Sequence, residues 1–422
     1  MTKVAIVGFG TVGMSVAKVL AMHPEALTVT VVSNRDVARK RDSAAAAHVP
    51  SGALWTESLD EVLASDVDVV VELMGGAEPA GALIAGALAR GKSVVTANKQ
   101  LIAYRGAELT ALAAKHGGQL LHGAAVAGGV PVIPGMLQGL SGDRVTRVSG
   151  ILNGTCNYIL SRMQMGDSYA EALSDAQRLG YAEADPTADV GGFDARAKLC
   201  ILCRVAMQVE IDPEKIATQT IAAIDTVDFA YAKELGCTIR QVSRAQREGD
   251  EMYARVAPML VPEESPIAWS RGTQNMVVST GTFGGDVVFS GHGAGGDATA
   301  VAIVSDLLAV AQGARCVALP LTPMAVRSDA VAPHYLRFVV DDKPGIVSAI
   351  SGALSKVGAN IDSLLQRRGY AKSRLPFVVT TEPCLNSVIA EAVGSIARMD
   401  CMLERPLALE MLVVDDKDEA TA

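Results

Sequence analysis

Between residues 183 and 198 the chain reads EADPTADVGGFDARAK, which sets Glu183, Asp185, Asp189 and Asp194 ahead of Lys198. An apolar run, LCILCRVAM, follows with the pattern of a buried helix. Asp194 and Lys198 are four residues apart, so on that helix they share a face and can form an ion pair. On residue types alone the stretch reads equally as an acidic loop capping a helix or as charges gathered for chemistry. A second constellation opens the chain. VAIVGFGTVGMSVAKVL, from Val4 to Leu20, sets Gly8, Gly10 and Gly13 between a β-branched strand and a helix. In that context the spacing predicts a dinucleotide site. Gly8 permits the tight turn, Gly10 lets backbone approach a pyrophosphate, and Gly13 lets helix and strand pack closely. Phe9, Thr11 and Val12 complete the turn, whose helix N-terminus offers free N–H groups to phosphate.

The elements that must position these residues follow in order. LTVTVVSN (27–34) is a second strand, and its end should meet the adenosine ribose. It closes on Ser33-Asn34-Arg35 rather than on an acidic residue, with Asp36 a place or two late. The Arg35 guanidinium suits a 2′-phosphate, which favours NADP while leaving NAD admissible. DVDVVVELMGG (66–76) and GKSVVTANKQLIA (91–103) supply further strands. The latter delivers Thr96, Asn98 and Lys99 at a strand's carboxyl end, where open α/β sheets bind ligands, so Lys99 is placed to face cofactor or substrate. Later, GHGAGG (291–296) leads into a helix, and Gly293 lies where backbone can approach a flat ring or a phosphate.

A chain of 422 residues predicts two or three domains, and 50% hydrophobic with 4% aromatic content suits Ala- and Gly-rich α/β layers. With net charge −9 and no basic stripe, nucleic acid is not an expected partner. The N-terminus lacks the features of a signal peptide, and no apolar run is long enough for a membrane span. Seven scattered cysteines predict a reduced, cytoplasmic protein. Cys200 and Cys203 form a CxxC inside the apolar helix pattern, which predicts packing rather than redox or zinc chemistry. From about residue 333 a new unit begins: a strand to Val340, a turn Asp342-Lys343-Pro344-Gly345, a helix to about Val357 and a Gly358-Ala359-Asn360 cap. Two more strands, a helix from about Leu385 to Met399 and a last strand give βαββαβ, a ferredoxin-like sandwich.

Taken together, GFGTVG, TANK, AGGVPVI, ILNGTCNYIL, GYAEADPTADVGGFDARAKLCIL and GAGGDATAVAIVSDL resemble the homoserine dehydrogenases, and the strand–DKPG–helix–GANI pattern resembles an ACT domain. The resemblance implies a Rossmann-type domain over 1–128, a substrate-binding and dimerisation domain over 129–310, a return segment over 311–332 and an ACT regulatory domain over 333–415. It implies reversible NAD(P)H-dependent reduction of L-aspartate 4-semialdehyde to L-homoserine, in a homodimer or homotetramer. It further implies that Lys198 and Lys99 are the catalytic lysines, with Asp194 the acidic partner four residues before Lys198, and that Glu183, Asp189, Gly154 and Thr155 meet the substrate. The ACT turns, Asp342, Gly345 and Ile346 with Asn360 and Ile361, are the implied site of an amino-acid effector, L-threonine.

The chain departs from the family pattern in places. Gly123 stands where the family has the Glu of its monovalent-cation site, which leaves only Val126 and Gly128 of that set. His292 replaces a Pro in the late glycine turn, and Ala298 another. Two rival readings remain. One is an aspartate-semialdehyde dehydrogenase, which would use Cys156 as a thiol nucleophile; the other is an amino-acid sensor without catalysis.

Overall fold

Thr2–Val7 (β1), Leu27–Ser33 (β2), Leu54–Thr56 (β3), Val69–Glu72 (β4), Ser93–Thr96 (β5) and Leu120–Leu121 (β6) form one parallel sheet in the order β3-β2-β1-β4-β5-β6. Its central strands are Val- and Ile-rich without alternation, because helices cover both faces of a parallel sheet. Val4, Ile6, Val29, Val69, Val71 and Val95 are buried, packed with Val16, Ala17 and Leu20 of the Thr11–Leu20 helix and Ile303, Val304 and Leu307 of the Gly296–Ala311 helix. The strand order reverses direction between β1 and β4, and the crevice at the carboxyl ends there is where such sheets take a dinucleotide. This is the expected Rossmann-type fold.

In the computed structural model, which describes residues 1–314 and 320–413, the chain divides into two compact units. One comprises Met1–Val148, Asp194–Glu214 and Thr273–Ala325; the other comprises Ser149–Phe193, Lys215–Gly272 and Val326–Ala422. Residues 315–319, within the expected return segment, and 414–415, at the expected end of the ACT domain, lie outside the described residues. Besides its parallel sheet, the first unit holds the antiparallel hairpin Gln274–Gly281/Gly285–His292. The Phe193–Met207 helix buries Cys200 and Cys203, and burial pushes the Cys200 thiol up to about 12 and Cys203 well above its ordinary value, so the CxxC is packing.

In the second unit Asn153 caps the Gly154–Gln164 helix through its side-chain oxygen. The Tyr169–Arg178 helix starts with a Ser168/Glu171 capping box. The strands Cys237–Glu248 and Glu251–Pro262 pair antiparallel over their whole lengths. The βαββαβ sandwich is present, with strands in the order Leu407–Met411, His334–Val340, Leu375–Thr381, Ile361–Leu365 and helices Ile346–Lys356 and Asn386–Ile396. One edge of this sandwich is not free. Met259 and Leu260 pair in parallel with Glu410 and Met411. Tyr335, Val378, Leu407 and Leu409 share a core with Ile159, Ile224, Tyr231 and Ile239. Beneath them Arg337 Nη1 meets the fully buried Asp228 at 2.7 Å, and Tyr335 donates to the same carboxylate at 2.7 Å.

Candidate active site

The glycine turn is held from three directions. Gly8 has φ +101°, and a Cβ there would lie 2.7 Å from the Leu73 carbonyl carbon and oxygen, so both the backbone angle and the space demand glycine. A Cβ on Gly13 would fall 2.1 Å from the Gly8 carbonyl oxygen, the close helix–strand approach the motif predicts. Asn34 at the end of β2 accepts a hydrogen bond from the Phe9 N–H at 3.1 Å. The Phe9 ring is buried edge-on against Trp55, so Phe9 shapes the turn from beneath. Gly10 has open space around its Cβ position. Arg35 is exposed, whereas Asp36 is engaged, capping a short helix and pairing with Arg39 at 2.8 Å.

The lysines meet on one carboxylate. Lys198 Nζ lies 2.8 Å from Asp194 Oδ2, the i,i+4 pair foreseen from spacing. Lys99 Nζ lies 2.7 Å from Oδ1 of the same residue. Lys99 is the first residue of the Lys99–His116 helix, placed there by the Asn98 cap, whose Oδ1 accepts from Leu101 N. Asn98 N in turn donates to Thr96 Oγ1 at 3.0 Å. The Asp194 and Lys198 side chains are 8% and 12% exposed, that of Lys99 38%, so one ammonium is enclosed and the other is open. Burial by itself would raise the Asp194 carboxyl; the Lys198 and Lys99 charges and hydrogen bonds overcome it and hold the group well below the usual carboxylate range. The arrangement presents fixed positive charge at a strand's carboxyl end, suited to a developing oxyanion.

In the second unit, Asn153 Nδ2 donates to Asp189 Oδ1 at 2.7 Å while its Oδ1 caps the next helix through Cys156 N at 2.8 Å. One side chain thus sets both the NGT turn and the orientation of Asp189. Thr155 donates its hydroxyl to the Tyr181 carbonyl at 2.6 Å. Glu183 is exposed and Gly154 partly so. Gly191 and Gly192 are demanded for different reasons: a Cβ on the first would fall 2.7 Å from the Thr187 carbonyl oxygen, and the second has φ +84°. Cys156 is 0% exposed and its thiol donates to the Asp189 carbonyl at 3.2 Å, so it is no accessible nucleophile.

At the late glycine turn, a Cβ on Gly293 would fall 1.7 Å from Asn275 Oδ1, and one on Gly128 2.5 Å from the Gly293 carbonyl oxygen. The turn therefore lies flat against both neighbours. Asp297 at its end receives Ser15 Oγ at 2.7 Å and Lys18 Nζ at 3.1 Å, tying it to the helix after the glycine turn. Asp306 fills the space over Gly123. It accepts the Gly123 N–H at 2.8 Å, and a Cβ on that glycine would sit 2.9 Å from both carboxylate oxygens. Burial pushes the Asp306 carboxyl up to about 6, against the Gly123 hydrogen bond. Position 123 thus meets a carboxyl group delivered from the Gly296–Ala311 helix, on the buried segment that also carries Val126 and Gly128.

The two ACT turns line separate clefts. Asp342, Gly345 and Ile346 border one of about 270 Å³, and Asn360 and Ile361 border another of about 590 Å³, with Ser348 in both. Lys372 Nζ holds Asp342 at 2.9 Å. Asn34, Glu72, Asp306 and the sharing of Asp194 by Lys99 were not foreseen. The only hint in sequence was a Glu closing the apolar strand VVVE.

Comparison with known proteins accords with this geometry. The family model for homoserine dehydrogenase matches residues 131–308, that for the homoserine dehydrogenase NAD binding domain matches 8–123, and that for the ACT domain matches 334–395. The chain is 38% identical to the homoserine dehydrogenase of Mycobacterium tuberculosis, over 94% of each chain, and 37% identical to that of Bacillus subtilis, over 86% of this chain and 87% of the other. A crystal structure of a homoserine dehydrogenase from Thiobacillus denitrificans superposes with a TM-score of 0.89 at 33% identity, covering 97% of this chain and 98% of that one. With dinucleotide turn, paired lysines and ACT sandwich all accounted for, the chain belongs to the homoserine dehydrogenase family, an oxidoreductase with a nicotinamide-dinucleotide domain and a C-terminal ACT domain.

Proposed function

We propose that the chain reduces L-aspartate 4-semialdehyde reversibly to L-homoserine with NADPH as the preferred cofactor, and that L-threonine restrains it through the ACT domain. The observation that carries the catalytic reading is the buried Asp194 carboxylate between Lys99 and Lys198. When bound, the nicotinamide supplies hydride to the aldehyde carbon. Lys198, enclosed and paired with Asp194, stabilises the negative charge that forms on oxygen and gives that alkoxide its proton; in the reverse direction it takes the proton back. Lys99 adds a second positive charge. Glu183 and Asp189 receive the substrate's ammonium, with Gly154 and Thr155 shaping the turn beside Asp189.

For the cofactor, Gly8 to Gly13 form the phosphate turn, Arg35 takes the 2′-phosphate, and Thr96, Asn98 and Gly293 border the nicotinamide side. A monovalent cation, where one binds, is held by Asp306 with backbone oxygens of Val126 and Gly128. The division of labour follows residues 1–128 for cofactor, 129–310 for catalysis and dimerisation, and 333–415 for regulation, in a homodimer or homotetramer of the cytoplasm. The test is oxidation of L-homoserine with NADP, followed by nicotinamide absorbance, for the full chain and Lys198→Ala. Turnover in the parent and a loss of several powers of ten in the variant, with cofactor binding retained, is the expected result. An alanine variant of near-normal turnover sinks the assignment.

A further inference from the structure

Glu72 is the last residue of β4, in the middle of the parallel sheet, and it is 0% exposed. A carboxyl group in such a place needs hydrogen-bond partners, and those it has come from the loop that follows it and from the neighbouring strand. Its Oε1 accepts the N–H groups of Met74 at 2.7 Å and Gly75 at 3.0 Å. Its Oε2 accepts the Thr96 hydroxyl at 2.7 Å, from the residue directly opposite it in the β4–β5 register.

Two connected consequences follow. Thr96, with its proton committed to Glu72, accepts the Asn98 N–H at 3.0 Å. Asn98 then caps the helix that begins at Lys99, and its Nδ2 donates to the Gly76 carbonyl at 2.7 Å, back on the loop that Glu72 organises. The chain of bonds closes a ring from Glu72 through Thr96 and Asn98 to residues 74–76. On the other side, that same loop begins at Leu73, whose carbonyl lies against Gly8 of the dinucleotide turn so closely that no Cβ fits between them. One buried carboxylate therefore sets two things at once: the starting point of the helix that aims Lys99 at Asp194, and the wall against which the phosphate turn is folded.

We infer that Glu72 is a positioning residue for turnover, acting on Lys99 through Thr96 and Asn98 and on the cofactor turn through residues 73–76. It touches no reacting atom. The inference rests on Lys99 taking part in turnover, so Lys99→Ala is measured alongside. A charge is not required for the role; what is required is an acceptor toward Met74 and Gly75 and a polar partner for Thr96. Glu72→Gln supplies both, since its oxygen accepts from the loop and its amide donates to the Thr96 hydroxyl. Glu72→Leu keeps the bulk and removes every bond, and Thr96→Val cuts the relay at its midpoint with almost no change of shape.

The experiment is steady-state kinetics of the full chain with homoserine and NADP, with NADPH binding followed by fluorescence and the fold checked by circular dichroism. Glu72→Leu and Thr96→Val are expected to lose at least tenfold in kcat with the homoserine KM within about threefold, because the misplaced Lys99 matters most where charge develops. Glu72→Leu also weakens NADPH binding several-fold, and Glu72→Gln stays within about threefold of the parent in both. Should Glu72→Leu not fold, Thr96→Val and Glu72→Gln decide between them. A folded Glu72→Leu or a Thr96→Val of parental kcat overturns the inference, as does a Glu72→Gln as damaged as the leucine variant. If Lys99→Ala keeps parental turnover, the reading of Lys99 fails instead; if it is inactive while Glu72→Leu is normal, only the role of Glu72 fails.

Discussion

Replacing Asp194 by asparagine removes one charge and almost no volume from the centre of the lysine pair. The two ammonium groups sit 2.7 and 2.8 Å from opposite oxygens of this carboxylate. Asparagine keeps the shape and loses the charge that draws both. At about 4 Å between charge centres and an effective dielectric of about 20, the lost attraction to the enclosed Lys198 is about 4 kcal/mol. The loss is felt most there, Lys198 being the more enclosed of the two. Because Asp194 itself lies far below the usual carboxylate range, its own titration does not enter between pH 6 and 10 in the parent. The expected result for Asp194→Asn is a kcat lowered by about two to three powers of ten near pH 7.5. The assay is homoserine oxidation from pH 6 to 10 on protein whose fold has been verified, since unpairing buried charge costs about 3–5 kcal/mol in comparable cases. A folded variant whose kcat falls less than threefold would refute the reasoning.

Arg35→Ala should weaken NADP far more than NAD, because only NADP carries the 2′-phosphate; equal losses in the two Kd values would place Arg35 away from it. Deleting everything after Ser328 should not yield a clean catalytic unit: it strips Arg337 and Tyr335 from the buried Asp228 and removes Leu407 and Leu409 from a shared core, so the truncated chain should aggregate or melt far below the parent in a thermal scan. The proposed threonine site is probed by Asn360→Ala, which should raise the threonine concentration for half-inhibition at least tenfold in an inhibition titration. His122, whose Nδ1 is buried without a hydrogen-bond partner, is pushed down to about 4 by burial and by the nearby Arg204 charge. Its unfolded form takes up a proton near pH 6.5 and its folded form only near 4, so stability is full above that window and falls as pH drops through it, by up to about 2–3 kcal/mol. In urea titrations His122→Gln should flatten the dependence between pH 6.5 and 4.

The sequence by itself determined whatever is local. Three glycines after a β-branched strand settle the phosphate turn, because the spacing of a turn and a helix start depends only on adjacent backbone. The Asp194–Lys198 pair was legible for the same reason, four residues being one helical turn. The ACT sandwich could be read as an order of elements with its turns. Tertiary structure decided the rest. It brought Lys99, 95 positions before Asp194, onto the second oxygen of that carboxylate, a contact fixed by how two helices pack and carried by no periodicity. It put Asp306 into the space that Gly123 leaves, so that a missing carboxylate in the sequence is not a missing charge in the fold. It seated the edge of the ACT sheet against Met259 and Leu260, making a domain that looks separable along the chain part of its unit's core. And it gave Glu72, one acidic letter at the end of a hydrophobic strand, its donors: the Met74 and Gly75 N–H groups and the Thr96 hydroxyl. A side chain's type limits what it can bond, but which partner it meets across the sheet is settled by register and packing, and these are properties of the whole chain.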